Sequence, residues 1–129
     1  MNITRVQDFY ERVIHRVRSG RFLTFTFRCD APALRRLLEM KVEPLGTGRV
    51  AFQTRTISVI DRPPVVLLQS SVNGHQSSET VQMCAWCQRV RMTHWTELED
   101  VQISSTMPVP RVEYGMCEDD EHRFRVLLE

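Results

Sequence analysis

The sequence predicts an α+β fold, in which an N-terminal amphipathic helix packs on an antiparallel sheet of about four strands and a small cysteine module with two short helices follows. Three observations predict it. Apolar residues recur at helical spacing over residues 3 to 18, and apolar and polar residues alternate in the segments that come next. Three of the four cysteines then fall between residues 84 and 117.

The N-terminal helix is predicted from a single apolar face. Thr4 and Gln7 fit a capping box at its start, and Gly20 can end it. The apolar residues of this face recur three and four positions apart, and they are Ile3, Val6, Phe9, Tyr10, Val13, Ile14 and Val17.

The first strand is predicted over residues 23 to 29, because apolar side chains occupy every second position there. Cys29 belongs to the apolar set, so we expect it to be a buried free thiol. The stretch from Asp30 to Leu37 predicts a short helical turn with Asp30 as its N-cap.

Two further strands are predicted to form a β-hairpin. Apolar and charged residues alternate from Leu38 to Glu43, and a turn at Gly46-Thr47-Gly48 precedes a strand that begins at Val50. The apolar face of this strand lies at even-numbered positions up to Phe52 and at odd-numbered positions from Ile57 onward. A bulge or a break in the strand is therefore expected in that interval.

The sequence also indicates how the chain is divided. Val65 to Leu68 is a continuous apolar run, which predicts a fourth, buried strand. The serine-rich stretch after it contains Asn73-Gly74 and predicts a flexible connection. We therefore expect a body over residues 1–70, a linker over 71–80 and a cysteine module over 81–129.

Composition limits the classes of function. The formal net charge is only +1, although sixteen of the seventeen basic residues are arginines, so a nucleic-acid partner is not expected. No stretch approaches the roughly 20 apolar residues of a membrane helix, and residues 1 to 18 are too charged for a secretory signal. A cytoplasmic protein is expected, in which four cysteines favour metal or redox chemistry over disulfides.

The cysteine spacing predicts a metal site. Cys84 and Cys87 form a CxxC pair on a tight turn, and Cys117 comes after 29 intervening residues. A closed structural zinc site has four ligands, commonly two from each of two knuckles. The second knuckle here runs from Cys117 to Asp120, where an aspartate stands at the position expected to be cysteine.

Three segments, Cys84–Arg91, Trp95–Glu99 and Tyr114–Asp120, carry a resemblance to a known family. They resemble the short CxxC…HGxCPxC zinc-binding module at the end of bacterial response regulators and PAS-containing sensor proteins. The resemblance implies a zinc-knuckle module, a structural Zn²⁺ and an unidentified protein partner in a signalling pathway. This chain departs from the pattern at Tyr114, which replaces a histidine, and at Asp120, which replaces the fourth cysteine.

The resemblance implies Cys84, Cys87 and Cys117 as zinc ligands. For the fourth ligand, Asp120 and His122 are both chemically suitable. Asp120 is preferred, because the third position after Cys117 faces the ion in related modules. An acidic first turn also predicts a helix through His122 to Leu128, which would direct His122 elsewhere.

Several side chains around the cysteines are given structural roles. Trp86 and Trp95 are expected to form the hydrophobic centre of the module, and Arg89 and Arg91 to offset the negative charge of the zinc centre. The histidines that the sequence places outside the site are expected at the surface, and they are His15, His75 and His94.

Enzymatic function is not expected. A zinc deaminase would need an HxE element before its CxxC, but His75 is followed by Gln76 and Ser77. The chain contains neither HExxH nor GxSxG. A thioredoxin-like CxxC should come after a strand and open a helix, whereas a serine-rich stretch is expected here.

The sequence thus predicts a non-enzymatic regulatory or interaction protein with structural zinc, and its oligomeric state is left open. Two alternatives remain at this stage. One is a thiol and zinc switch that responds to oxidation. The other is a nucleic-acid-binding zinc ribbon that uses Arg89, Arg91 and Arg111.

Overall fold

The computed structural model describes residues 3–69, 76–103 and 108–129. It confirms an α+β protein with an N-terminal helix and an antiparallel sheet. The helices and strands are α1 (Ile3–Arg18), β1 (Leu23–Arg28), β2 (Leu34–Gly46), β3 (Arg49–Asp61), β4 (Gln76–Cys84), β5 (Val90–Arg91), β6 (Trp95–Thr96), β7 (Val109–Gly115) and α2 (Glu118–Leu127).

The first sheet has three strands in the order β1-β2-β3, and both pairings are antiparallel. The fourth strand predicted over Val65 to Leu68 is wrong, because Val66–Leu68 forms a 3₁₀ turn that buries Leu67. A run of four apolar residues has no periodicity that distinguishes a strand from a buried turn. Pro63 and Pro64 also remove two backbone donors just before it.

The predicted hairpin is confirmed as β2 and β3. Gly46, Thr47 and Gly48 all have positive φ angles, of 79°, 52° and 79°. The predicted bulge is confirmed at Ile57, since Leu37 pairs with Ser58 and Leu38 pairs with Thr56. Ile57 is therefore the extra residue, and it explains why the apolar parity changes along β3.

Two local predictions between β1 and β2 are wrong. No helical turn covers Asp30 to Leu37, because an Ala31–Leu34 bridge closes the chain and β2 begins at Leu34. Cys29 is exposed, although its parity in the sequence matches the buried positions. The alternation stops because β1 ends at Arg28, whose side chain turns inward and is only 8% exposed.

The second sheet has the order β6-β5-β4-β7. β4 and β7 are parallel, and the other two pairings are antiparallel. Residues 76–80, predicted as linker, are the start of β4, while 71–75 lie outside the described residues.

The prediction of two short helices in the cysteine module is also wrong. The part of residues 81–129 that the structure describes combines one α-helix, α2, with the strands of the second sheet and a 3₁₀ turn at Leu98–Asp100. Strand pairing between distant segments overrode the local polar pattern.

One hydrophobic cluster joins the two sheets and both helices. Phe9 of α1 contacts Trp86 with a ring-centroid distance of 4.9 Å and Phe124 of α2 with 4.4 Å. Trp86 therefore packs in a core shared with α1, rather than in a separate centre of the cysteine module. The buried members of this cluster are Phe9, Val13, Val17, Leu23, Phe25, Val42, Cys84, Trp86, Met116, Cys117, Phe124 and Leu128. The division of the chain into a body over residues 1–70 and a module over 81–129 stays a prediction.

A second, smaller cluster includes residues of β4 and β5. Its buried members are Val65, Leu67, Met83, Val90 and Leu98.

Within the ranges that the structure covers, no helix has the length and apolar character needed to cross a membrane.

Candidate metal centre

The first two cysteines lie on the turn that joins β4 to β5. Cys84 is the last residue of β4, and its backbone N–H donates to the carbonyl of Arg89 at 2.8 Å. The backbone N–H of Gln88 donates to the carbonyl of Cys84 at 3.0 Å, and Gln88 has a φ of 61°. These bonds close a tight turn that places Cys87 opposite Cys84.

The third cysteine arrives through the parallel strand β7. Gly115 of β7 pairs with Cys84 of β4, so the chain leaves β7 beside the first cysteine. Cys117 is the N-cap of α2, and its sulfur accepts a hydrogen bond from the backbone N–H of Asp120 at 3.5 Å. Asp120 therefore lies in the first turn of α2, and its carboxylate is directed toward the sulfurs.

Four donor atoms converge at this point. They come from Cys84, Cys87, Cys117 and Asp120, and all lie within 4.8 Å of one another. Oδ2 of Asp120 is 3.0 Å from Sγ of Cys84 and 3.5 Å from Sγ of Cys117, and the sulfurs of Cys87 and Cys117 are 3.7 Å apart. This cluster could hold a metal ion.

Two of these three distances agree with tetrahedral coordination. Zinc–sulfur bonds of about 2.3 Å and zinc–oxygen bonds of about 2.0 Å place two sulfurs about 3.8 Å apart, and a sulfur and an oxygen about 3.5 Å apart. The separation of Cys87 from Cys117 and that of Cys117 from Asp120 match these values. The contact between Cys84 and Asp120 is shorter, so an ion would separate these two groups slightly.

Three of the four donor residues are buried, Cys87 is half-buried, and hydrogen bonds link the four groups. Hydrogen bonds from Cys117 and Cys87 lower the pKa of Cys84, whereas hydrogen bonding to Cys84 raises the pKa of Cys117 to about 12. Hydrogen bonding to Cys117 raises the pKa of Cys87. Burial, followed by the hydrogen bond with Cys84, raises the pKa of Asp120. A divalent cation could replace the shared protons and remove the repulsion between the anions.

The alternative fourth ligand, His122, is exposed on α2 and does not belong to the cluster. His15 and His94 are exposed as predicted, and His75 lies outside the described residues. Asp120, by contrast, is only 6% exposed.

The two arginines just after the CxxC pair with carboxylates. Arg89 contacts Glu97 at 3.0 Å and Asp119 at 2.9 Å, and these hydrogen bonds raise the pKa of Arg89. Arg91 lies 3.5 Å from Glu118. Two of the three arginines proposed for nucleic-acid contact are thus engaged within the protein.

A buried ion-pair network, which the sequence did not predict, supports the Cys87 turn. The side chain of Asp30 is fully buried between the guanidinium groups of Arg28 and Arg62. Both arginines also contact Glu99, at 3.0 Å and 2.6 Å. The Asp30 pairs join the C-terminal ends of the edge strands β1 and β3, and the Glu99 contacts connect them to the 3₁₀ turn that follows β6. The sequence held only a weak signal for this network, an arginine and an aspartate two residues apart.

The same segment contacts the cysteine turn through its backbone. The N–H of Arg28 donates to the carbonyl of Trp86 at 2.7 Å, and the N–H of Asp30 donates to the side chain of Gln88 at 3.0 Å. The residues just before and just after Cys87 are therefore both hydrogen-bonded to the segment that contains Arg28 and Asp30.

The strand before the CxxC changes the reason for excluding a thioredoxin-like motif. The sequence excludes it because a linker is expected before Cys84, but β4 leads directly into Cys84. The element after Cys87 now supports the exclusion, because it is the short strand β5 and not a helix.

No protein-family model, curated protein or solved structure matches this chain.

Proposed function

We propose that this protein is a non-enzymatic, cytoplasmic zinc-binding protein that acts as a regulatory or interaction module in bacterial signal transduction, with zinc as a structural ion. The observation that carries the proposal is the convergence of three sulfurs and one carboxylate oxygen within 4.8 Å of one another, with two of their separations at tetrahedral values. The signalling role is supported by the resemblance of the cysteine spacing to the bacterial module.

Zinc is the ion that this donor set fits best. Thiolates are soft ligands, which favour zinc, copper(I) or iron–sulfur chemistry and disfavour magnesium and calcium. One hard carboxylate beside three thiolates is compatible with zinc, which accepts sulfur, nitrogen and oxygen ligands at a tetrahedral site.

A structural role is supported by the number and burial of the ligands. Four protein donors complete a tetrahedron and leave no position for water or substrate, whereas catalytic zinc sites use three. Cys84 is 0% exposed and Cys117 is 1% exposed. Both belong to the cluster that packs α1 onto the rest of the protein, so an ion here would hold the core together.

The fourth ligand gives a direct test of the site. Asp120→Ala is expected to weaken zinc binding about tenfold or more, because one of four donors is lost. Asp120→Cys is expected to tighten it, because a thiolate is the softer ligand. Competition titration with a chromophoric chelator measures both changes.

His122→Ala is the matched control for these variants, because His122 lies on the same helix and is exposed. Its zinc affinity is expected to equal that of the unmodified protein. Zinc binding that weakens in His122→Ala and stays unchanged in Asp120→Ala would contradict the assignment.

The signalling role has a separate test. A gene for a histidine kinase or response regulator beside this gene, in the genomes that carry it, would support the role. Neighbouring genes of unrelated function throughout those genomes would count against signalling without affecting the zinc site.

A second candidate function is a redox switch, which is favoured by the 3.7 Å separation of the Cys87 and Cys117 sulfurs. Peroxide would take two electrons from the two zinc-bound thiolates and two protons from solvent, forming one disulfide and two molecules of water, and the ion would be released. Treatment of the zinc-loaded protein with peroxide tests this function by free zinc and by mass spectrometry of the disulfide. Retention of zinc with reduced cysteines would exclude it.

A further inference from the structure

The carboxylate of Asp120 is shared between the cysteine cluster and one arginine. Its Oδ2 atom faces the sulfurs of Cys84 and Cys117, at 3.0 Å and 3.5 Å. Its Oδ1 atom lies 3.2 Å from Nε of Arg123. The two oxygens of one buried carboxylate therefore have different partners.

The guanidinium group of Arg123 contacts three residues, one in β1 and two in its own helix α2. Its Nη1 atom donates to Oγ1 of Thr26 in β1 at 3.3 Å. Its central carbon lies 4.3 Å from the centre of the Phe124 ring. Nε is buried, and its contact with Asp120 is an ion pair without the alignment of a hydrogen bond. Arg123 is thus a fixed cation beside the fourth ligand.

This cation has two consequences for an ion in the cluster. Three thiolates and one carboxylate around a divalent cation leave an excess of two negative charges in a buried site, and a guanidinium offsets part of it. A carboxylate can also bind a metal through one or both oxygens. The ion pair with Oδ1 leaves Oδ2 as the oxygen available to the ion.

From these contacts we infer that Arg123 is a positioning residue, which keeps Oδ1 of Asp120 away from the metal so that the carboxylate binds through Oδ2 alone and the site stays four-coordinate. The inference rests on the proposed metal site. It goes beyond that site by assigning the coordination number to a residue that does not touch the ion.

Cobalt(II) is the probe, because its visible absorption is strong in tetrahedral sites and several-fold weaker at higher coordination numbers. Cobalt is titrated into the full-length metal-free protein and into Arg123→Met. We expect the variant to bind cobalt and zinc about tenfold more weakly. We also expect its absorption per bound cobalt to fall, because Oδ1 becomes free to coordinate.

The control for helix and charge is Arg125→Met. Arg125 is on the same helix and pairs with Glu121 at 3.3 Å, at an exposed position. This variant is expected to keep the affinity and absorption of the unmodified protein. Equal losses in Arg123→Met and Arg125→Met would overturn the inference, since a general effect on α2 would then explain both.

The same Arg123→Met change is also made in a protein that carries Asp120→Cys. In that protein the fourth ligand has a single donor atom. Arg123→Met is expected to leave the strong tetrahedral absorption unchanged there, because no second oxygen can bind. The same loss of absorption in both backgrounds would overturn the inference, as would unchanged absorption in Arg123→Met alone.

Two further outcomes are decisive. Should Arg123→Met not fold, as judged by circular dichroism, Arg123→Ala removes the same ion pair with Oδ1 of Asp120, and unchanged cobalt absorption in it would overturn the inference. Failure of the unmodified protein to bind cobalt or zinc would overturn the metal site itself. Binding by the unmodified protein with no effect of Arg123 would overturn only the positioning role.

Discussion

Cys84→Ser is expected to abolish tight zinc binding and to lower the free energy of unfolding by about 4 kcal/mol, the stabilisation given by an ion present at about 1,000 times its Kd. Cys84 is fully buried, and its sulfur is 3.0 Å from Oδ2 of Asp120. A serine hydroxyl does not replace a thiolate at a soft metal site. Thermal unfolding with and without a chelator measures the loss.

The chelator is expected to lower the Tm of the unmodified protein and to have no effect on Cys84→Ser. The matched control is Cys29→Ser, because Cys29 is an exposed free cysteine outside the cluster. One equivalent of tightly bound zinc in Cys84→Ser would contradict the proposed site.

The loss of stability is expected to reach the N-terminal helix. Cys84 and Cys117 belong to the same buried cluster as Phe9, which packs against Trp86 at 4.9 Å. Hydrogen exchange after chelation should therefore increase in α1 as well as in α2. Faster exchange confined to residues 81–129 would indicate that the two ranges are stable independently of each other.

Asp30→Ala is the second large effect that we expect, a loss of about 3–5 kcal/mol in the free energy of unfolding. The variant removes the fully buried carboxylate between the guanidinium groups of Arg28 and Arg62 and leaves Glu99, which is 31% exposed, as the carboxylate that they share. Both arginine side chains are less than a tenth exposed, at 8% and 7%, so water cannot compensate them fully. Urea unfolding measures the change.

Glu39→Ala is the control for Asp30→Ala, because Glu39 also pairs with an arginine in the first sheet. That partner, Arg55, is 69% exposed, and pairs of this kind contribute about 1 kcal/mol or less. Equal losses in the two variants would show that the buried network contributes no more than a surface ion pair.

Local patterns were sufficient for the elements that depend on local contacts. The three-and-four spacing predicted α1, alternation and two glycines predicted the β2–β3 hairpin, and the acidic residues after Cys117 predicted α2. The bulge at Ile57 was also visible, because an extra residue changes the parity of the apolar positions.

Long-range pairing explains most of the structure that the sequence did not predict. β4 begins with polar residues and is held by β7, whose register with it runs from Gln76–Val109 to Cys84–Gly115. Neither strand has a strong apolar alternation of its own, so the pairing partner decides the structure. The parallel arrangement brings Cys117 to Cys84, which cysteine spacing alone could not show.

The residues around the site were harder to predict than its ligands. Arg123 lies three positions after Asp120 on a helix, so the i,i+3 spacing was a signal that could have found it. Arg28, by contrast, occupies a polar position in an alternating strand and is buried because Asp30 and Glu99 reach it from other segments.

The bulge at Ile57 also bears on self-association. Among the strands that the structure describes, β3 pairs with β2 alone, and it exposes Val59 and Ile60 along its 13 residues. A long regular edge of this kind would be a template for adding the strand of another chain. The extra residue interrupts the repeat of backbone donors and acceptors, and Arg55 adds a charge nearby. The irregularity in β3 thereby opposes edge-to-edge aggregation.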